Sequence, residues 1–258
     1  MNTESRVKGE SMISKGLVVI LGLGEIGRPL LKILSQSSEC IGVDKEPVDI
    51  SRPCSILHIC YPYQIEDFVG ATIAYIEKYQ PALTIVNSTV PPGTTRQIQV
   101  GAGSSAVVYS PVRGKHTRMQ EDLLRYKKFV AGFRSHDTEL AKQHFAKAGF
   151  QTDTFRTPEI AELSKLLETT WLGVLVGWSQ EVERLAGQVG GSYEEVNTFL
   201  REINFLPSHI FPGVIGGHCV MPNISLLREC FDSKYLDAVV ESNEAKQARH
   251  AVAQGVGR

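Results

Sequence analysis

Leu17-Val18-Val19-Ile20-Leu21-Gly22-Leu23-Gly24-Glu25-Ile26-Gly27 decides the fold of this chain. Five consecutive apolar residues fit a strand buried on both faces of a parallel sheet. The glycines that follow are spaced G-x-G-x-x-G, ahead of a helix predicted over Arg28 to Gln36. Gly22 permits a tight turn, Gly24 lets the backbone approach a pyrophosphate, and Gly27 lets helix and strand pack closely. The helix N-terminus, with Glu25 and Ile26 in its approach, adds N–H groups and a favourable dipole for phosphates. A second strand, Cys40 to Val43, ends at Asp44. A carboxylate there accepts bonds from a ribose 2′-hydroxyl and repels a 2′-phosphate, so the expected cofactor is NAD rather than NADP.

Working outward, the pattern repeats. A strand over Ile56 to Cys60 stops at Tyr61-Pro62, a helix runs from Gln64 to Tyr79, and strands are predicted over Leu83 to Asn87, Ala106 to Tyr109 and Phe129 to Phe133. Alternating strands and helices with right-handed crossovers make an α/β protein with a doubly wound sheet of the Rossmann type. Tyr61, Pro62, Ser88 and Thr89 fall at the carboxyl ends of strands, where ligands bind in such sheets, and the Thr89 hydroxyl is a candidate contact near the nicotinamide. This NAD-binding domain is expected over residues 1–156, with residues 1–14 as a frayed lead-in.

The character changes at Thr157-Pro158, which suits a helix start. No strong breaker follows until Gln188, so a helix of ~30 residues, roughly 45 Å long, is predicted. Its apolar residues, among them Leu163, Leu167, Trp171, Trp178 and Leu185, cover more than one face. It is therefore either an internal core helix or one shared with a second subunit, and a homodimer through residues 158–188 is expected. The rest of the chain reads as helical, giving an all-helical second domain over 157–258 with one long central helix.

The 258 residues are 42% hydrophobic and 21% charged with a net charge of -1, so no basic stripe argues for nucleic acid. Cys40, Cys54, Cys60, Cys219 and Cys230 are odd in number and form no C-x-x-C pair, which fits free thiols in a reducing compartment rather than disulfides or a zinc site. The first 16 residues lack an apolar signal-peptide core, and no apolar run is long enough to span a bilayer. The expectation is a cytoplasmic protein without a metal.

A second glycine-rich stretch, Gly213-Val214-Ile215-Gly216-Gly217-His218-Cys219, places one cysteine behind a flexible loop. Lys165 and Thr169, one turn apart, share a face of the long helix. A thiol used with a nicotinamide cofactor is equipment for oxidising a carbon through a covalent sulfur adduct. Each residue alone is ambiguous: a helical lysine is commonly solvated, a lone cysteine commonly structural, and His218 commonly a packing residue.

Taken in order, the LGLGEIG loop, the NSTVPPGTT turn, Ser110 to Arg113, the AELSK segment at Ala161 to Lys165 and GGHC at Gly216 to Cys219 resemble the UDP-glucose/GDP-mannose dehydrogenase family. GGHC resembles its UDP-N-acetylhexosamine branch. The resemblance implies oxidation of a primary alcohol of a nucleotide sugar to a carboxylate with two NAD, through a thiohemiacetal and a thioester. It makes Cys219 the nucleophile and Lys165 the stabiliser of the oxyanion. It also exposes departures. The family has asparagine where this chain has Thr169, aspartate where it has Asn223, and a glutamate serving thioester hydrolysis where it has Val112. The family continues into a third α/β domain that helps bind the nucleotide, so the resemblance implies a shortened form. Three readings stay open: an NAD-dependent dehydrogenase of altered specificity, a two-electron dehydrogenase of the β-hydroxyacid type, and a non-catalytic NAD-binding partner.

Overall fold

A computed structural model describes residues 16–46, 48–203, 210–217 and 219–253. The expected lead-in at 1–14 and the position of His218 lie outside the described residues. The chain divides into two compact units, residues 1–165 and 166–258.

The first unit is a seven-stranded sheet with strands β1 (Leu17–Leu21), β2 (Cys40–Val43), β3 (Cys54–Ile59), β4 (Leu83–Val86), β5 (Ala106–Tyr109), β6 (Lys128–Gly132) and β7 (Thr152–Thr154), in the order β2-β1-β3-β4-β5-β6-β7. Only the β5–β6 pairing is antiparallel. The chain winds from β1 outward to β2, then returns past β1 to β3, so the sheet has its switch point beside β1, where the glycine loop leaves. β1 and β3 are buried along their whole length, which is why both read as continuous apolar runs.

Helices α1 (Gly27–Leu34), α2 (Phe68–Tyr79), α3 (Thr94–Gly101), α4 (Met119–Arg125) and α5 (Ser135–Lys147) connect the strands. α2 begins four residues later than the sequence suggests, because Asp67 caps it by accepting from Gly70 N at 2.8 Å. Two apolar cores form: one holds Val18, Ile20, Leu30 and Phe145, the other Leu17, Val19, Phe68 and Tyr109. Alternate residues of β1 supply each, as strand pleating requires.

The long helix is α6, Pro158–Gln188, 31 residues. The second unit continues through α7 (Tyr193–Arg201), α8 (Val220–Cys230) and α9 (Lys234–Ala253). Ser192 and Glu195 form a reciprocal capping box at the start of α7. Gly173 serves packing: a Cβ there would sit 2.9 Å from Val220, so its absence admits the first turn of α8 against α6.

Candidate functional site

The glycine loop has the geometry its spacing implies. Gly22 adopts φ +87°, and a Cβ on it would lie 2.6 Å from Tyr61 N. A Cβ on Gly27 would overlap the Gly22 carbonyl oxygen, so helix and turn meet only because residue 27 is glycine. Around Gly24 the space is open, with no atom within 4 Å of a built Cβ. An open backbone cradle at the N-terminus of α1, beside the switch point, fits a dinucleotide pyrophosphate. Asp44 stands exposed just past β2. Glu25 Oε2 lies 2.5 Å from His116 Nδ1.

Tyr61 is turned toward α2, where its hydroxyl meets Thr72 Oγ1 at 2.5 Å and its ring packs on Phe68. Pro62 beside it is exposed. Ser88 donates to Tyr61 O at 2.6 Å, tying the loop after β4 to the loop after β3. Thr89 is half-buried in that same loop.

Behind this edge runs a buried polar network that no motif announces. Lys128, at the start of β6, donates to Ser110 O (2.8 Å), Pro111 O (3.0 Å) and Asn87 Oδ1 (3.2 Å). Asn87 then points Nδ2 at His58 Nδ1, 3.1 Å away, and His58 Nε2 meets His144 Nε2 at 2.9 Å. The chemistry settles the protons. Lys128 offers only donors, so Asn87 Oδ1 accepts and its amide donates to His58 Nδ1. His58 Nε2–H then donates to His144, and both imidazoles are neutral.

Burial holds both histidines below their ordinary range, His144 at about 4. Burial also pushes the Lys128 ammonium down to about 7, with Cys60 opposing and Lys165 and Arg113 adding to the fall. The Cys60 thiol is pushed by burial up to about 12, which leaves it a packing group beneath the glycine loop.

A second feature outside the sequence expectations is Glu162. Fully buried on α6, it accepts from Gly93 N at 2.6 Å and from Thr95 N at 2.8 Å. Burial raises its pKa from the ordinary carboxylate value, against the opposing effect of those bonds.

The second unit positions the thiol. Cys219 is the half-buried N-cap of α8, and Asn223 N donates to its carbonyl at 3.2 Å. The Asn223 side chain donates to Thr169 Oγ1 at 2.7 Å, pinning the first turn of α8 to α6. Gly217, at φ +78°, makes the bend before Cys219. The glycine loop is held from behind: Gln180 donates to Gly213 O at 2.6 Å, and buried Asn243 exchanges bonds of 2.8 and 3.1 Å with the backbone of Ile215. No group of three or more metal-ligating side chains occurs among the described residues.

Residues 159–245 match the model of the UDP-glucose/GDP-mannose dehydrogenase family, central domain. Over those residues the chain is similar to the central domain of these dehydrogenases. A UDP-N-acetyl-D-mannosamine dehydrogenase of Methanocaldococcus jannaschii is 25% identical over 262 residues, covering 79% of this chain and 59% of that protein. The protein of the same name from Methanococcus vannielii is 24% identical, and the match spans only 42% of its length. Among solved structures, UDP-D-ManNAc dehydrogenase from Pyrococcus horikoshii superposes with a TM-score of 0.78 at 20% identity, over 91% of this chain and 70% of that one. The fold is also that of 3-hydroxyisobutyrate dehydrogenase from Mycobacterium tuberculosis, with a TM-score of 0.67 at 14% identity over 92% and 94% of the two chains.

Of the departures that the resemblance implies, Thr169 and Asn223 are brought into contact. Val112 is buried among core side chains, in the cluster that holds Met119 and Leu123. The signal for Glu162 was present in the AELSK segment, but nothing local says that its carboxylate caps another helix.

Proposed function

We propose that the protein is an NAD-dependent dehydrogenase acting on a CH–OH group of a sugar or nucleotide-sugar substrate, with Cys219 as the nucleophile and Lys165 as the oxyanion stabiliser. The observation that carries this reading is the Thr169–Asn223 bond. It joins the residue one turn past Lys165 to the residue one turn past Cys219. The two positions at which the resemblance marks a departure are therefore in contact with each other.

NAD, held at Gly22, Gly24, Glu25, Ile26, Gly27 and Asp44 with Tyr61, Pro62, Ser88 and Thr89 along the sheet edge, would supply the hydride acceptor. Cys219 sits where the positive end of α8 favours an anion, which suits a thiolate attacking a carbonyl carbon. The alkoxide formed in that addition takes its counter-charge from Lys165. Thr169 and Asn223 hold the helix start that carries the thiol. Val112 supplies neither a base nor a ligand for water, so hydrolysis of a sulfur-bound acyl group depends on other residues.

The protein acts in the cytoplasm as a homodimer through α6. Trp171 and Trp178 are 60% and 61% exposed on one chain, and Leu167, Leu172 and Leu185 are exposed on the same helix. Apolar exposure on this scale marks an association surface. No helix among the described residues is long and apolar enough to cross a membrane.

The test is NADH formation, followed by absorbance, with nucleotide sugars, sugar phosphates and simple hydroxy acids, beside Cys219→Ser. Turnover lost in the variant with cofactor affinity retained supports covalent catalysis. Turnover of a hydroxy acid untouched by the variant favours the second reading, for which the 3-hydroxyisobutyrate dehydrogenase fold gives precedent. Cofactor binding without any turnover favours a non-catalytic partner. Asp44→Ala should narrow the preference for NAD over NADP, and an unchanged ratio removes the role given to Asp44.

A further inference from the structure

We infer that Glu162 is a positioning residue that clasps the nicotinamide-side loop to the helix bearing Lys165, and so sets cofactor affinity at one end of the dinucleotide only. The inference rests on the NAD reading above. The strand order places Asp44, after β2, on one side of the glycine loop, and β3 and β4 on the other. With the adenosine ribose at Asp44 and the pyrophosphate at the glycine loop, the nicotinamide half extends over the loops that follow β3 and β4. The β4 loop, Ser88 to Gly93, runs directly into α3.

Glu162 closes that segment from behind. Its two oxygens accept from Gly93 N and Thr95 N at 2.6 and 2.8 Å. Those N–H groups belong to the end of α3 where the orphan donors of a helix collect. A side chain from α3 itself could have capped it, yet the cap comes from a residue 67 positions away from Thr95 and three before Lys165. Gly93, at φ +96°, turns the loop onto the carboxylate.

The clasp is dry, since Glu162 is 0% exposed and Tyr109, whose fully buried hydroxyl has no hydrogen-bond partner among the described residues, lies close enough to feel its charge. A surface ion pair, Arg96 to Glu159 at 2.5 Å, ties the same two helices one turn further out. A carboxylate buried against two backbone donors is costly to place. A neutral cap of the Ser or Asn kind within α3 would have satisfied the helix end more cheaply. What the distant carboxylate adds is a fixed relation between the cofactor loop and α6.

The experiment compares NADH with ADP-ribose, which lacks the nicotinamide, by calorimetric titration of the wild-type chain, Glu162→Gln and Arg96→Ala. Glutamine keeps the size and one acceptor but turns an amide N–H toward the second donor. Loss of one charge-assisted bond predicts about tenfold weaker NADH binding, with ADP-ribose affinity unchanged within twofold. Arg96→Ala, at an exposed residue that leaves folding intact, should shift NADH alone in the same direction by a smaller factor. Equal weakening of both ligands by Glu162→Gln would make Glu162 a general structural residue and overturn the inference. So would unchanged NADH binding in Glu162→Gln, or, where that variant does not fold, in Arg96→Ala. A wild-type chain that binds neither ligand removes the cofactor reading itself, and this inference with it.

Discussion

Asn223 donates its side-chain amide to Thr169 Oγ1 across 2.7 Å, and Thr169 in turn donates to Leu166 O at 3.0 Å. The pin is directional: an amide on α8 gives, a hydroxyl on α6 receives and passes the bond to its own helix. Asn223→Ala should lower stability by about 1 kcal/mol, the net value of one such bond. Thr169→Val should cost a similar amount, and the double variant should cost less than the sum because the two share one interaction. Urea denaturation of the three variants checks this. Additive losses would mean that the contact carries no coupling.

The glycine turn makes a sharper prediction. Gly27→Ala forces a methyl group onto the Gly22 carbonyl, so either α1 or the turn must move. Expected outcomes are a loss of at least 2 kcal/mol in stability, as for other strongly overpacked sites, and loss of measurable NADH binding. Gly24→Ala meets open space and should leave stability within about 0.5 kcal/mol, as for substitutions without steric conflict, while still weakening the cofactor. Thermal melts with and without NADH separate the two effects.

The buried histidines predict acid sensitivity. His144 titrates at about 4 when folded, against an ordinary 6.5, and His58 lies lower still than its ordinary value. Below 6.5 the unfolded chain takes up protons that the folded chain refuses, so stability falls as pH drops from 6.5 toward 4. His144 alone accounts for about 3 kcal/mol over that window. Urea midpoints at pH 7 and pH 4.5 should differ markedly for the wild type and less for His144→Gln, whose amide meets His58 without a proton to gain. An identical slope in both would place the acid sensitivity elsewhere.

The exposed tryptophans bear on assembly. Trp178→Glu puts a charge on the apolar face of α6 that a second copy would bury. Sedimentation should show the wild-type chain as a dimer at micromolar concentration and the variant as a monomer of unchanged helicity. A wild-type monomer would leave that face for another partner.

Much of the first unit was legible because its determinants are local. The strand residues Leu17 to Leu21, the glycine spacing and Asp44 all lie within one βαβ unit, and exclusion of a Cβ at Gly27 by the Gly22 carbonyl is a property of the turn itself. The long helix was legible to within one residue at its start, since thirty residues without a breaker leave little choice. β7 was not anticipated: three polar residues, Thr152 to Thr154, carry no alternation and become a strand only because the edge of β6 offers them bonds.

What the linear order of residues settled, then, was most of the sheet, the glycine turn and the long helix, all read from spacing within a few turns or strands. Folding in three dimensions decided which groups meet. Glu162 reaches Thr95 across 67 residues, Lys128 reaches Asn87 across 41, and Asn223 reaches Thr169 across 54. Such pairs leave no periodic trace, because a hydrogen bond between distant residues requires only that packing bring one donor to one acceptor away from water. That condition belongs to the whole core rather than to either segment.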